Sequence, residues 1–429
     1  VRVLVTGAYG FIGAHVVAAL LEAGHEPVCA VRAARRAQRF PGVASLACDF
    51  ARDTDPSHWL PRLRGIDAVV NCAGILRERG DDRHETVHVR TPAALFAACE
   101  QAGVRRVIQI SALGDPADGA FIETKHRGDA ALMRSALEWT ILRPSVVYSA
   151  RGSYGGTSLL RALAALPWIP LPGAGAQRLQ PLAAEDLARA VVAALARRES
   201  VGCCLTLGGP ESLSLREYLQ QWRQWLALGP PRFAPIWLPL AHCGAWLGER
   251  AGAGPMGLTM WRMLARGNVV AAEQRARSEA VLGYAPRALH EVLARTPAHS
   301  ADRWHARLYL LMPLLRAVLA ATWIASGLVG LVLPEQTVVA LGAQAGMAPA
   351  QALLVGSVGS TIDIALGVAL ALGWRPRWVL AGMALSVIGY SLGIGLLLPR
   401  FWLDPFGGLL KNAVVLVALA IAAATAERS

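Results

Sequence analysis

Thr6-Gly7-Ala8-Tyr9-Gly10-Phe11-Ile12-Gly13 follows the apolar run Val3-Leu4-Val5 and opens a stretch with helical periodicity. Gly7 and Gly10 allow a tight strand-to-helix turn and close approach of the backbone to a ligand. Gly13 lets the new helix lie close on the strand. The first turn of such a helix presents unpaired peptide N–H groups and the positive end of its dipole, which suits a pyrophosphate. Thr6, Gly7, Tyr9, Gly10, Phe11, Ile12 and Gly13 are therefore candidate contacts for a dinucleotide, because the pattern stands between a strand and a helix.

Outward from this turn, short β-branched runs alternate with helical stretches. Strands are expected near 2–6, 26–31, 43–47, 68–71, 106–111, 139–143 and 204–207, and helices near 12–23, 59–63, 87–102, 124–135 and 184–196. That alternation predicts an α/β Rossmann fold, a doubly wound parallel sheet. We expect a nucleotide-binding domain over 1–207 with an insertion at 151–178, and a small, mostly helical cap over 208–295. Within the cap, residues 234–247 are apolar and Trp-bearing but too short to span a bilayer, so they read either as cap core or as an interfacial membrane contact.

After the second strand the chain reads Cys29-Ala30-Val31-Arg32, with Arg35 and Arg36 close behind. A carboxylate at this place would bond a ribose 2′-hydroxyl and repel a 2′-phosphate, whereas a guanidinium accepts the phosphate. NADP(H) is therefore favoured over NAD(H).

Composition narrows the classes. Hydrophobic residues make up 54% of the 429 and charged residues 17%, unevenly spread, which predicts a soluble part and a membrane part. The net charge of +12 is carried almost wholly by arginine, Lys125 and Lys411 being the lysines, and no nucleic-acid-binding signature accompanies it. The seven cysteines form no CxxC pair and read as reduced residues of a cytosolic domain. Nothing ahead of the first strand reads as a leader, so the nucleotide-binding domain is expected in the cytoplasm. The ten histidines are read as containing no ligand cluster, so no metal is expected, and no GxSxG elbow points to a hydrolase.

The first 290 or so residues resemble the atypical or extended short-chain dehydrogenase/reductases, most closely the branch of the accessory Rossmann-fold subunit of complex I. Besides the glycine turn, the matching pieces are Cys48-Asp49-Phe50, Asn71-Cys72-Ala73-Gly74, Ile110-Ser111-Ala112-Leu113-Gly114, Thr124-Lys125 and Leu142-Arg143-Pro144-Ser145-Val146-Val147-Tyr148. The resemblance implies that Asp49 and Phe50 flank the adenine, Ala73 and Gly74 the ribose, and Pro144 to Val147 the nicotinamide side. It also places Ser111 and Lys125 at the family's catalytic serine and lysine. Departing from the pattern, Phe121 stands four residues before Lys125, where a tyrosine normally donates the proton. Ser111, Glu123, Tyr148, Tyr154 or a water are the candidate substitutes.

Beyond a polar linker at 296–307, hydrophobic stretches at 308–333, 349–373, 377–399 and 406–425 predict an all-α four-helix transmembrane bundle over 308–426. Arg303, Arg307, Arg375 and Arg377 flank the ends that would face the cytoplasm, together with both termini, although Arg400 and Lys411 run against the rule. This part is similar to the DoxX-like membrane family through Ser326-Gly327-Leu328, Asp363-Ile364-Ala365-Leu366-Gly367 and Lys411-Asn412. That likeness implies a bacterial inner-membrane protein linked to redox or quinone metabolism. Arg316 and Asp363 lie at matching depth and are expected either to pair or to face a water-lined pocket. Two functional expectations follow. One is an oxidoreductase acting on a lipophilic substrate such as a quinone. The other is a non-catalytic, nucleotide-binding assembly or redox-sensing protein with a membrane partner.

Overall fold

Seven parallel strands form one sheet in the spatial order Cys203–Leu207, Glu138–Pro144, Arg106–Ile110, Ala68–Asn71, Arg2–Thr6, Glu26–Val31, Ser45–Ala47. The chain enters at Arg2–Thr6, winds outward on one side, and returns across to Ala68–Asn71 to fill the other. The carboxyl ends of these two neighbouring strands thus form the switch point where such sheets open a crevice. The computed structural model describes all residues except 33–39, 153–154, 251–256, 404–406 and 427–429. Arg35, Arg36 and Tyr154 lie outside the described residues. The chain divides into two compact units, Val1–Ala306 and Arg307–Ser429.

The sheet is buried on both faces, so its strands are continuous apolar runs rather than alternating ones. On one face the helices Phe11–Glu22 and Ala184–Ala196 bring Val16, Val17, Leu20, Leu187 and Val191 onto Val3, Val5, Val70 and Ile108. On the other, Trp59 and the helix Thr91–Ala102 bring Leu95 and Phe96 onto Leu4, Val69, Val107 and Ile141.

A third core lies beyond the sheet. The strand Ile169–Pro172 pairs with Phe233–Ile236, and Tyr148, Leu171, Tyr218, Trp222, Leu289 and Leu293 close around them. This core joins the insertion after residue 150 to the segment after 208. Its main helix, Leu215–Trp225, starts on a capping box in which Ser214 and Glu217 satisfy each other's backbone N–H groups.

Among the described residues, three helices of the second half, Ser300–Val332, Pro349–Ala371 and Pro376–Leu397, are long and apolar enough to cross a membrane; Gly408–Ala424 is a shorter apolar helix of 17 residues. A further helix, Glu335–Gln344, lies between the first two and escapes the sequence reading. Glycines bring two of the long helices together: a Cβ on Gly327 would lie 2.4 Å from the Ser360 carbonyl oxygen, and one on Gly367 2.8 Å from that of Ala320.

That close packing corrects the expected Arg316–Asp363 pair. With Gly367 against Ala320, and Gly327 against Ser360 and Ile364, Asp363 falls at the level of Ser326, which hydrogen-bonds it. Arg316 lies about 15 Å further along its helix, at ~1.5 Å per residue. Its guanidinium donates instead to the Thr425 carbonyl at 3.1 Å, and Arg377 donates to that of Ala426 at 3.0 Å. Both cations serve the negative end of the last helix.

Candidate dinucleotide site

The strand Arg2–Thr6 ends in a turn that has room for glycine alone. Gly7 adopts φ +62°, and a Cβ there would lie 3.0 Å from the Cys72 and Ala73 backbone. A Cβ on Gly13 would lie 2.1 Å from the Gly7 carbonyl oxygen. Gly10 heads the Phe11–Glu22 helix with no side-chain cap and no acid in the first turn, so the positive end of the helix dipole suits an anion. Tyr9 tilts against Phe40 with ring centroids 5.8 Å apart. Thr6 is buried and its hydroxyl donates to the Asn71 side-chain carbonyl, which also accepts from Ala73 N at 3.2 Å, while the Asn71 amide donates to Gln109 at 2.7 Å. This relay ties together the carboxyl ends of three adjacent strands.

Lys125 is buried on the helix Ala120–Met133. Its Nζ donates to the carbonyls of Ala73, at 2.9 Å, and Ile110, at 3.1 Å. An ammonium has three donors, so one remains for the cleft. Burial pushes its pKa down to about 8, against the pull of Asp129 and Cys72. A Cβ on Gly74 would lie 2.8 Å from that nitrogen, so a side chain here would push the end of the lysine aside.

Ser111 lines the same cleft, but its hydroxyl donates to Asp129 at 2.7 Å. The same carboxylate oxygen accepts from Arg143 Nε at 3.0 Å and Nη2 at 2.9 Å. Phe121 also lines the cleft, edge-on to His88 at 5.7 Å. Of the candidate substitutes for the missing tyrosine, Tyr148 is corrected to a core residue: it is fully buried against Trp222 and its pKa is raised by burial. Glu123 is exposed on its helix and does not line the cleft.

Three residues that the sequence reading passed over shape this region. Asp129 orients Ser111. His84-Glu85-Thr86-Val87-His88 has the H-E-x-x-H spacing of a zinc motif, and the sequence reading missed it. The structure commits those groups elsewhere: His88 Nε2 accepts from Ile75 N at 3.0 Å, its Nδ1 lies 2.8 Å from the Thr124 hydroxyl, and Glu85 holds Arg127 at 2.7 and 3.0 Å. Burial, then Lys125 and His84, keep the His88 imidazole neutral. Among the described residues no three metal-ligand side chains converge.

Farther along the crevice, Arg32 forms a two-point ion pair with Asp82, at 2.6 and 3.0 Å, and lies 3.4 Å from Asp49. The Phe50 ring is packed in the core, edge-on to Trp59 at 5.6 Å, and its carbonyl accepts from the Thr91 hydroxyl at 2.7 Å, so the ring does not flank the adenine as expected. Ala73 is buried, and its carbonyl receives Lys125. The cavity itself measures about 320 Å³. Gly10 to Gly13, Gly74, Ser111, Lys125 and Pro144 to Val147 line it together with Leu159, Leu160, Leu179, Met260, Met263 and Leu264.

A glycine cradle without side-chain caps, at the switch point of a parallel sheet and beside a buried lysine, defines a dinucleotide-binding Rossmann domain. Residues 7–198 match the NAD(P)H-binding family model, and residues 320–420 match that of the DoxX-like family. A 3-diazoavenalumate denitrifying reductase from a Streptomyces species is 30% identical over 264 residues, which cover 54% of this chain and 84% of that protein. The mitochondrial NADH dehydrogenase [ubiquinone] 1 alpha subcomplex subunit 9 of Arabidopsis thaliana is 27% identical over 56% of this chain and 61% of its own length. The UDP-glucuronic acid 4-epimerase of Bacillus cereus, in complex with UDP-glucuronic acid and NAD, shares the fold at a TM-score of 0.52 and 18% identity, over 72% of this chain and 100% of its own. The chain belongs to the NAD(P)H-binding family of reductase-like proteins and carries a DoxX-like membrane domain.

Proposed function

We propose that the protein is an NADP(H)-dependent oxidoreductase of the cytoplasmic face of a bacterial inner membrane, acting on a lipophilic substrate such as a quinone, an isoprenoid or a lipid intermediate. The observation that carries this reading is the lining of one cavity, which joins glycines, Ser111 and Lys125 to leucines and methionines. An apolar chamber of this kind favours a substrate with little to hydrogen-bond.

The bound nicotinamide supplies the hydride chemistry. The chain's own residues supply the proton and the positioning. Phe121 has no proton to give, so Lys125, with its remaining N–H toward the cleft, is the acid. As the substrate carbon gains the hydride, Lys125 Nζ gives its proton to the substrate oxygen, and the amine recovers one from water. Asp129 fixes the Ser111 hydroxyl beside this nitrogen's helix as a positioning group.

Arg32 supports the choice of NADP(H), and Asp82 sets its cost, because a 2′-phosphate has to displace a carboxylate from the guanidinium. The arginines at 303, 307, 375 and 377 support the cytoplasmic placement.

The test is to purify the full chain in mild detergent, compare NADPH and NADH binding, and follow NADPH oxidation with a panel of quinones and lipid carbonyl compounds. Turnover with preference for NADPH is expected. Tight binding without turnover on the panel would remove the enzyme reading in favour of a nucleotide-occupied assembly or redox-sensing protein.

A further inference from the structure

The helix Leu238–Arg250 is built inside out for a water-soluble domain. At 100° per residue, Ala241, Ala245 and Gly248 share the side turned inward, where Ala245 is buried, whereas Leu240, Cys243, Trp246 and Leu247 share the outward side. Leu240 is 62% exposed, Leu247 55%, and Trp237, just before the helix, 77%. A soluble surface helix normally puts its large apolar residues inward. Here small residues face the core and the bulk faces out, so the outward face requires a cover.

The charges around this face indicate which cover. Arg250 lies over the Trp246 ring at 4.2 Å, the pairing of an indole with a basic group found at membrane interfaces. Glu249, the sole acid of the helix, is engaged by Arg77 at 3.7 Å and accepts from Leu258 N at 3.0 Å. The face is thus apolar with one cation, Arg250, at its edge, in a chain whose other half carries helices able to cross a bilayer.

We propose that this face docks on the anionic headgroup region of the membrane, with Trp237, Leu240, Trp246 and Leu247 in the interface and Arg250 at the phosphates. The helix is linked to the cavity's lining indirectly: Arg77 donates to the Gly248 carbonyl at 3.0 Å, and the next helix, Leu258–Arg266, supplies Met260 and Met263. The docked face therefore sets the apolar chamber beside a lipid surface. This inference does not depend on the proposed reaction and fails or holds apart from it.

Cys243 makes the test direct, because it is exposed on the face in question while the other six cysteines are buried or half-buried. The full chain is labelled there with an environment-sensitive fluorophore and reconstituted in nanodiscs of phosphatidylcholine, with or without phosphatidylglycerol, containing nitroxide-bearing lipid. Lipid-borne quenching is expected, stronger with phosphatidylglycerol, and cut several-fold by the double substitution Leu240→Glu and Leu247→Glu, with NADPH binding and melting unchanged. A Cys243→Ser chain serves as the labelling control. A water-exposed fluorophore in every disc, quenching indifferent to phosphatidylglycerol, or shielding that persists in detergent and grows with protein concentration, as a second copy would cause, would each overturn the proposal.

Discussion

Lys125 Nζ donates to the Ala73 carbonyl at 2.9 Å, so the helix that carries the lysine is tied to the peptide that precedes Gly74. This contact joins the lysine to the wall of the nucleotide site. A methyl group at Gly74 would meet the same nitrogen at 2.8 Å. Gly74→Ala is expected to displace the ammonium and weaken NADPH binding about tenfold, about 1.4 kcal/mol. Titration calorimetry on the folded variant measures this.

The acid role assigned to Lys125 carries a sign. With a pKa near 8, its proton is available below that pH and lost above it. The turnover rate is therefore expected to fall as pH rises through about 8, and Lys125→Arg, whose guanidinium holds its proton, to lose turnover at every pH. Stability moves the other way. Between about 8 and the ordinary lysine value, the unfolded chain holds a proton that the folded chain has released, so this group makes the protein more stable as pH rises across that window. Lys125→Met should abolish that part of the slope in denaturant titrations run at several pH values.

Arg32 and Asp82 test the choice of nucleotide. Arg32→Ala is expected to reduce NADPH affinity about tenfold or more while leaving NADH nearly unchanged, and Asp82→Ala to raise NADPH affinity by freeing the guanidinium. Paired dissociation constants for the two nucleotides give the answer. A loss common to both would point to a structural role for the ion pair.

Asp129 is fully buried, with Arg143 and Ser111 on one oxygen. Asp129→Ala leaves Arg143 without its partner and should cost about 3 kcal/mol in chemical unfolding. The conservative Asp129→Asn should cost less and retain part of the activity.

Most of the sheet was legible because its strands are short, β-branched and buried on both faces. Val3 to Val5, Val69 to Val70 and Val107 to Ile108 read as strands without any partner in view. The glycine turn was legible for a different reason, since steric exclusion at Gly7 and Gly13 leaves a pattern in the sequence itself. Relations between distant residues were not. Ser111 and Asp129 are 18 positions apart, and only the crossover from one strand through a helix brings them together. The commitment of His88 was hidden likewise, because a spacing of four on a helix says nothing about whether Ile75 and Thr124 have already taken the ring's nitrogens. Depth counting placed Arg316 and Asp363 level, but the glycine contacts of Gly327 and Gly367 set the register that separates them. The outward face of Leu238–Arg250 could not be assigned either, since apolar content alone does not tell which side of a helix meets the core.

In the proposed complex, peptide N–H groups between Gly7 and Gly13 receive the phosphates of a pyridine dinucleotide. Titration calorimetry of the full chain in detergent, beside a Gly13→Ala chain shown to be folded by its melting curve, tests it most directly. Heat with NADPH from the natural chain and its loss in the variant are expected; no heat with either NADPH or NADH, or equal binding by both chains, would contradict the account.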